Sequence, residues 1–159
     1  MFLKPDYEVE NIYAIDLDEL KNIGINAILF DLDSTLMASK SAEYAPSTLK
    51  WLNNVRNNFF IGVISNNKNA EYIKKVIAIS DFPILFDAKK PSVKKTSEFM
   101  AKYEILPEHT VIVGDRPLTD ILCGKKLGCK TILTDSITAK EENMPTRLVR
   151  KMERLCIRH

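Results

Sequence analysis

Short runs of apolar residues alternate along this chain with longer stretches in which apolar residues recur at helical spacing. Each apolar run is bounded by polar or turn-forming residues, as buried strands usually are. The pattern predicts five strands, over residues 26–30, 59–64, 83–86, 110–113 and 130–133. Regular alternation of strands and helices is typical of an α/β fold, because helices connect parallel strands.

The helical stretches predict which residues face the core. The predicted apolar faces are Leu49, Leu52 and Val55 in a helix opened by Pro46, and Tyr72, Ile73, Val76 and Ile77 in the next. Further helices are predicted over about 92–103, from about 118 to a terminating glycine at 128, and over about 145–157. We therefore expect a mainly parallel five-stranded sheet with helices on both faces, in a single domain over residues 1–159. The acidic first twenty residues are expected to wrap its edge.

The composition excludes several classes of protein. Apolar residues make up 45% of the chain and charged residues 28%, as in ordinary globular proteins, and the net charge of +2 gives no reason to expect nucleic acid as a partner. No signal peptide and no membrane-spanning run is evident. The three cysteines form no C-x-x-C pair. They are expected to be free thiols in a reducing, cytoplasmic compartment rather than a zinc site or disulfides.

The first of four polar clusters that follow predicted strands contains Asp31 and Asp33. A carboxylate such as Asp31 can attack phosphorus and form an acyl phosphate, which splits one difficult displacement into two easier ones. A second carboxylate two residues later can protonate the leaving oxygen and then deprotonate the attacking water. The alternative is that this Asp-x-Asp merely ends a strand and caps a turn.

The second and third clusters are weak motifs by themselves. Ser65, Asn66 and Asn67 offer a hydroxyl and backbone N–H groups to phosphoryl oxygens, but similar strings are common in turns. Lys89 and Lys90 precede Pro91, and a lysine there can neutralise a phosphate, although most lysines are solvated surface residues.

The fourth cluster contains Asp115 and Asp120, two acidic residues five apart after a strand. Such a pair suits Mg²⁺, which prefers oxygen ligands and retains several waters; alternatively, Asp120 caps or supports the following helix. All four clusters occur in order, each separated from the next by about one helix and one strand. In doubly wound sheets the ligand lies at the carboxyl ends of the strands, so the four are expected to converge there.

These clusters resemble the four motifs of the haloacid dehalogenase (HAD) superfamily, and residues 2–153 resemble its capless YqeG family. The match is carried by residues 30–36, 65–67, 88–91, 114–115 and 119–120. The resemblance implies a Mg²⁺-dependent phosphatase with Asp31 as nucleophile and Asp33 as general acid/base. Two departures from the family are Ser34, where asparagine is usual, and Arg116, where glutamine is more frequent.

The resemblance also implies roles for the remaining polar residues. Ser65 and Asn66 would bind the phosphate, and Lys90, directly before proline, would neutralise its charge. Asp31, the main-chain carbonyl of Asp33, and Asp115 would be Mg²⁺ ligands, and Asp120 would support them.

The substrate is less constrained than the chemistry. Neither interval between the first three clusters has room for a cap domain, which suits a large or surface-embedded substrate; closure by a second copy of the chain is the alternative. Relatives of this family include phosphatidylglycerophosphate phosphatases, so the resemblance implies a lipid phosphate. Soluble phosphate monoesters, polynucleotide 3′-phosphate ends and a non-catalytic partner module are the other hypotheses.

The predicted C-terminal helix is basic and amphipathic. Its basic side chains are Arg147, Arg150, Lys151, Arg154 and Arg158, and its apolar ones are Leu148, Met152 and Leu155. Such a helix can contact an anionic membrane peripherally, at the inner face, pack its apolar stripe on the core, or do both.

Overall fold

The computed structural model describes residues 3–137 together with Met152, Glu153 and Leu155. Six parallel strands form one sheet: β1 (Tyr7–Val9), β2 (Ala27–Phe30), β3 (Phe60–Ile64), β4 (Ile84–Leu85), β5 (Thr110–Gly114) and β6 (Lys130–Thr134). Their order across the sheet is β1-β6-β5-β2-β3-β4. The chain runs outward from β2 to β4 and then returns to β5 on the other side of β2. The neighbouring strands β2 and β5 therefore form the switch point at which doubly wound sheets bind ligands.

Helices connect these strands on both faces of the sheet. They are α1 (Leu17–Asn22), α2 (Pro46–Val55), α3 (Ala70–Ile79), α4 (Lys94–Lys102) and α5 (Leu122–Leu127). Short 3₁₀ turns occupy Ile12–Ala14 and Pro107–His109, and a π-helical turn, Pro117–Ile121, precedes α5. Gly128 ends α5 with a φ of 84°, a left-handed conformation that glycine adopts without steric cost. The predicted α/β architecture is confirmed.

Two apolar clusters hold the layers together. Because successive strand residues point to opposite faces, Ile28 and Phe30 of β2 contribute to one cluster and Leu29 to the other. Leu52 and Val55 of α2 with Tyr72 and Val76 of α3 pack on the first face, and Phe99 and Met100 of α4 on the second. The sheet is thus covered on both sides, as parallel sheets require.

Two features of the fold differ from the sequence-based expectation. The sheet has six strands and not five, because Tyr7–Val9 pairs with Ile132–Thr134 at the sheet edge. The helix faces are also narrower than predicted. Leu49 is 37% exposed and Ile77 57% exposed, because each helix contacts the sheet only along the line through its most buried residues.

The segments between the strands determine how open the switch point is. Within residues 3–137, β2 and β3 are separated only by a loop and α2, and β3 and β4 only by a loop and α3, so no cap domain covers the sheet there. No helix in the described part of the chain combines the length and apolar character needed to cross a bilayer. Most of the predicted C-terminal helix, about 145–157, lies outside the described residues; Met152, Glu153 and Leu155 are helical.

Candidate active site

Three aspartates meet at the switch point of the sheet. Asp31 follows β2, Asp115 follows β5, and Asp120 lies in the π-helical turn after β5. One carboxylate oxygen from each lies within 4.8 Å of those of the other two. Asp115 and Asp120 are buried, each with a relative exposure of 1%. The site therefore brings three acidic groups within metal-binding range of one another, two of them buried.

Asp120 joins this group because the chain folds it back over Gly114. A Cβ atom on Gly114 would lie 2.2 Å from Cγ of Asp120, so only glycine permits this approach. The backbone N–H of Arg116 donates to Oδ2 of Asp120 at 3.2 Å and fixes the carboxylate there. Asp120, predicted as a supporting residue, is thus as close to the centre of the site as Asp31 and Asp115.

Lys90 joins two of the three carboxylates. Its Nζ lies 2.8 Å from Oδ1 of Asp31 and 2.7 Å from Oδ1 of Asp120. The Lys90 side chain is 2% exposed, whereas that of Asp31 is 15% exposed and can be reached from solvent. Burial alone would lower the pKa of Lys90, but the carboxylates of Asp120 and Asp31 outweigh it and raise the pKa above its usual value. Lys90 therefore stays charged.

The charges of this site do not balance. Burial, together with the carboxylate of Asp120, raises the pKa of Asp31 well above its usual value despite the opposing effect of Lys90. Three carboxylates face one ammonium group, and a divalent cation would compensate the excess negative charge. An all-oxygen set of carboxylates suits a hard ion such as Mg²⁺ or Ca²⁺ better than a softer one. Asp31, Asp115 and Asp120 therefore fit a metal ion.

Asn66 holds the backbone of Lys90 in place. Its side-chain Nδ2 donates to the carbonyl of Lys90 at 2.9 Å, and its Oδ1 accepts from the N–H of Lys90 at 2.7 Å. Lys89, the other candidate lysine, is exposed. Lys90, and not Lys89, therefore lies among the aspartates, and Asn66 makes hydrogen bonds to the Lys90 backbone that the sequence did not reveal.

Ser65 lies at the end of β3, where the sequence predicted a phosphate ligand. It is 1% exposed, and its hydroxyl accepts from the N–H of Asn67 at 3.1 Å. The hydroxyl hydrogen can therefore be donated toward a ligand. Its role as phosphate ligand, like that of the backbone at Asn66, stays a prediction.

Asp33 has its carboxylate in a different environment from the three aspartates. Its Oδ1 accepts from the hydroxyl of Tyr72 and, at 2.9 Å, from the N–H of Lys40. Its Oδ2 accepts from Nδ2 of Asn67 at 3.4 Å. The predicted metal ligand at this position is the main-chain carbonyl of Asp33, and that role stays a prediction.

Other residues of the site were not identified from the sequence. Thr35 donates from Oγ1 to Oδ1 of Asp115 at 3.3 Å, and Tyr72 contacts Asp33. Ser34 has a φ of 70°, a left-handed conformation in which asparagine is enriched several-fold. This conformation accounts for the asparagine that is usual at position 34 in the resembled family.

Arg116 links the site to the C-terminal part of the chain. Its Nε and Nη2 lie 3.3 and 3.2 Å from the two carboxylate oxygens of Glu153, which is 3% exposed. A bidentate contact of this kind is the strongest form of arginine–carboxylate pairing. Met152 and Leu155 are exposed, at 58% and 47%, so among the three described residues of this segment the acidic one is buried against the domain. The basic residues named above for this helix lie outside the described residues.

Comparisons with known proteins find relatives among phosphatases. A family model described as mitochondrial PGP phosphatase matches residues 1–138. The chain is 30% identical over 153 residues to a probable phosphatase, YqeG, of Bacillus subtilis, covering 96% of this chain and 88% of that protein. It is 29% identical over 161 residues to phosphatidylglycerophosphate phosphatase 1, chloroplastic/mitochondrial, of Arabidopsis thaliana, covering 96% of this chain but only 46% of that protein.

A solved structure shares the fold. A HAD family enzyme from Bacteroides thetaiotaomicron, in complex with magnesium and inorganic phosphate, superposes with a TM-score of 0.58. The match covers 77% of this chain and 98% of that one, at 14% sequence identity. At that identity the likeness establishes the fold alone.

Proposed function

Because this chain belongs to the PGP phosphatase family and has the fold of a HAD family enzyme, we propose that it hydrolyses phosphate monoesters through a phosphoaspartyl intermediate on Asp31, with Mg²⁺ as its metal. The observation that carries this proposal is the contact of Lys90 with both Asp31 and Asp120, next to Asp115. It brings together a partly exposed carboxylate, a buried positive charge and a set of metal ligands.

In the first step, one oxygen of Asp31 attacks phosphorus and the bond from phosphorus to the leaving oxygen breaks. Asp33 donates a proton to that leaving oxygen, so the product departs as a neutral alcohol. The hydroxyl of Ser65 and the backbone N–H of residue 66 bind phosphoryl oxygens, and Lys90 offsets their charge.

In the second step, Asp33 takes a proton from a water molecule as that water attacks phosphorus. The bond between phosphorus and Asp31 breaks, which releases inorganic phosphate and returns both aspartates to their starting state. Asp31, Asp115 and Asp120 would hold Mg²⁺, with the main-chain carbonyl of Asp33 as a further ligand. Bound Mg²⁺ supplies charge neutralisation between the acidic site and the anionic substrate.

Asp33→Asn should slow both steps, because the asparagine amide can neither give a proton to the leaving oxygen nor take one from water at ordinary pH. The expected loss is about 10²–10⁴-fold, the usual contribution of a general acid/base. In kcat/KM, which reports phosphoryl transfer to Asp31, the loss should be largest for an alkyl phosphate, whose leaving alkoxide needs the proton, and smallest for p-nitrophenyl phosphate. The slower hydrolysis of the shared phosphoenzyme lowers kcat for both esters. Steady-state rates with both esters provide the measurement. Near wild-type turnover of the alkyl ester would assign the role to another residue.

Removal of the metal should abolish activity. EDTA is expected to stop turnover and Mg²⁺ to restore it, because the three carboxylates repel the phosphate without the cation. Mg²⁺ should also raise the melting temperature of the protein, since an ion that binds only the folded state stabilises it. Asp115→Asn should weaken both effects. Full activity in metal-free buffer would contradict the assignment of these aspartates.

The substrate we propose is phosphatidylglycerophosphate or a similar lipid phosphate. Support comes from the described part of the chain, which has no cap domain over the strand ends, and from the name of the Arabidopsis relative. An uncovered site suits a headgroup that projects from a surface. The protein would then act in the cytoplasm, as a peripheral protein at the inner membrane face.

The outward side of the C-terminal helix supports contact with that surface. Glu153 is buried against Arg116, whereas Met152 and Leu155 are exposed. Apolar side chains flanked in sequence by Arg150, Lys151 and Arg154 suit an anionic membrane, where each basic residue contributes about 1 kcal/mol.

The protein should therefore dephosphorylate phosphatidylglycerophosphate in anionic vesicles more efficiently than soluble esters such as glycerol 3-phosphate. Replacing Arg150, Lys151 and Arg154 together by glutamine should weaken vesicle binding by about two orders of magnitude at low salt. Added salt should weaken wild-type binding as well, because it screens surface charge. Vesicle sedimentation and phosphate release provide the measurements.

In the matched control, glutamine replaces three exposed lysines elsewhere on the surface, Lys50, Lys74 and Lys75. It changes the net charge equally and should leave vesicle binding nearly unchanged. Both triple variants should hydrolyse p-nitrophenyl phosphate at the wild-type rate. Efficient turnover of a soluble metabolite, with no activity on the lipid phosphate, would contradict the substrate proposal and leave the chemistry intact.

A further inference from the structure

The carboxylate of Asp33 is held from one side by Tyr72. This tyrosine lies in the first turn of α3, where its N–H donates to the side chain of Asn69, the residue that caps the helix, at 3.0 Å. Tyr72 is 8% exposed and belongs to the core cluster beneath the sheet. Its ring is therefore fixed by packing, and its hydroxyl reaches Oδ1 of Asp33 from a rigid element.

In this hydrogen bond Tyr72 is the donor and Asp33 the acceptor. Carboxyl oxygens such as Oδ1 of Asp33 accept hydrogen bonds, so the Tyr72 hydroxyl is the donor. The Tyr72 oxygen also lies 3.3 Å from Sδ of Met37. Met37 belongs to the loop that carries Asp33, so the same hydroxyl contacts this loop at two points.

The donors around Asp33 are distributed unequally between its two oxygens. Oδ1 accepts from Tyr72 and from the N–H of Lys40 at 2.9 Å, whereas Oδ2 accepts from Asn67 at 3.4 Å, close to the limit of a hydrogen bond. With Oδ1 occupied by two donors, Oδ2 is the oxygen better able to exchange a proton with substrate or water.

We propose that Tyr72 is the positioning residue for Asp33: it holds Oδ1 and thereby directs Oδ2 toward the leaving oxygen. This inference rests on the proposed function, since it needs Asp33 as the general acid/base. In the first step the proton of Asp33 Oδ2 passes to the leaving oxygen as that oxygen separates from phosphorus. In the second step Oδ2 receives a proton from the attacking water. Tyr72 keeps its own proton throughout.

The test is Tyr72→Phe, which removes one oxygen and preserves the buried ring. For an alkyl phosphate we expect kcat/KM, which reports phosphoryl transfer to Asp31, to fall by about tenfold or more, and by less than the ~10²–10⁴-fold that the general acid/base itself contributes. With p-nitrophenyl phosphate, which needs little help from an acid, kcat/KM should change less than about threefold. Hydrolysis of the phosphoenzyme, which both esters share, should slow equally with either ester. A purely structural role would lower both rates together.

The matched control is Tyr44→Phe. Tyr44 is also buried, at 6% exposure, and its hydroxyl contacts Oγ of Ser80 at 2.8 Å instead of an acidic residue. Its loss should leave the ratio of the two rates unchanged. A changed ratio in Tyr44→Phe equal to that in Tyr72→Phe would overturn the inference.

The variants of Asp33 separate failure of this inference from failure of the proposed function. Adding Tyr72→Phe to Asp33→Asn should cost no further activity, because residues that act through one another are not additive. If the loss of activity in Asp33→Asn depends on the leaving group and the loss in Tyr72→Phe does not, only the positioning role is overturned. If neither variant depends on the leaving group, the general acid/base assignment of Asp33 fails.

Discussion

Asp31→Asn should abolish phosphatase activity and leave the fold intact. Asparagine has nearly the shape of aspartate, but its neutral amide cannot attack phosphorus. The expected loss is very large, because enzymes accelerate phosphate-monoester hydrolysis by up to ~10²¹-fold over an extremely slow background. Phosphate release and thermal unfolding of the same preparation provide the measurements.

The charges around Asp31 also predict how this substitution changes the stability of the protein. Burial and the neighbouring carboxylates oppose a negative charge on Asp31, so its removal relieves repulsion while Lys90 keeps its contact with Asp120. Without divalent cation, the variant should therefore melt at or above the wild-type temperature. Asp18→Asn, the same exchange at an exposed position, should retain full activity. Substantial turnover by Asp31→Asn would exclude Asp31 as the nucleophile.

Lys90→Met should destroy activity and also destabilise the protein. The methionine retains an unbranched chain but leaves Asp31 and Asp120 without their buried positive partner. Breaking a buried ion pair by removing one member typically costs about 3–5 kcal/mol. We expect a loss of that size in the free energy of unfolding, measured by urea denaturation in EDTA.

The neighbouring residue provides the control for Lys90. Lys89→Met changes the same residue type at an exposed position and should shift stability by less than about 0.5 kcal/mol. If Lys90→Met fails to fold, Lys90→Arg keeps the charge for a separate test. Its planar group cannot reproduce the point charge between two carboxylates, so it should fold yet lose activity. Equal stability of Lys90→Met and wild type would contradict the buried pair.

The placement of Asp31, Ser65, Lys90 and Asp115 was accessible from sequence. Each follows an apolar run that forms a strand, and parallel strands bring their carboxyl ends to one edge. The strands themselves were recognised because buried parallel strands are nearly continuous apolar runs. The convergence of these residues therefore follows from topology, without knowledge of any side-chain contact.

What the sequence did not reveal depends on contacts between distant segments. Tyr72 was assigned to an apolar helix face, and its ring does pack in the core, but periodicity carries no information about where its hydroxyl points. The position of Asp120 depends on a π-helical turn that folds over Gly114. Tyr7–Val9 becomes the sixth strand only by pairing with β6, so three residues gave too short a pattern to recognise.

The nucleophilic role of Asp31 is tested most directly by trapping the phosphorylated enzyme and locating the phosphate. The Asp33→Asn variant, in which hydrolysis of the intermediate should be slow, is mixed with a labelled p-nitrophenyl phosphate and quenched in acid. Borohydride then reduces an acyl phosphate to an alcohol, which converts a phosphorylated aspartate to homoserine. We expect homoserine at position 31, identified by peptide mass spectrometry, and none in Asp31→Asn. Phosphate on another residue, or turnover with no trapped phosphoenzyme, would contradict this role of Asp31.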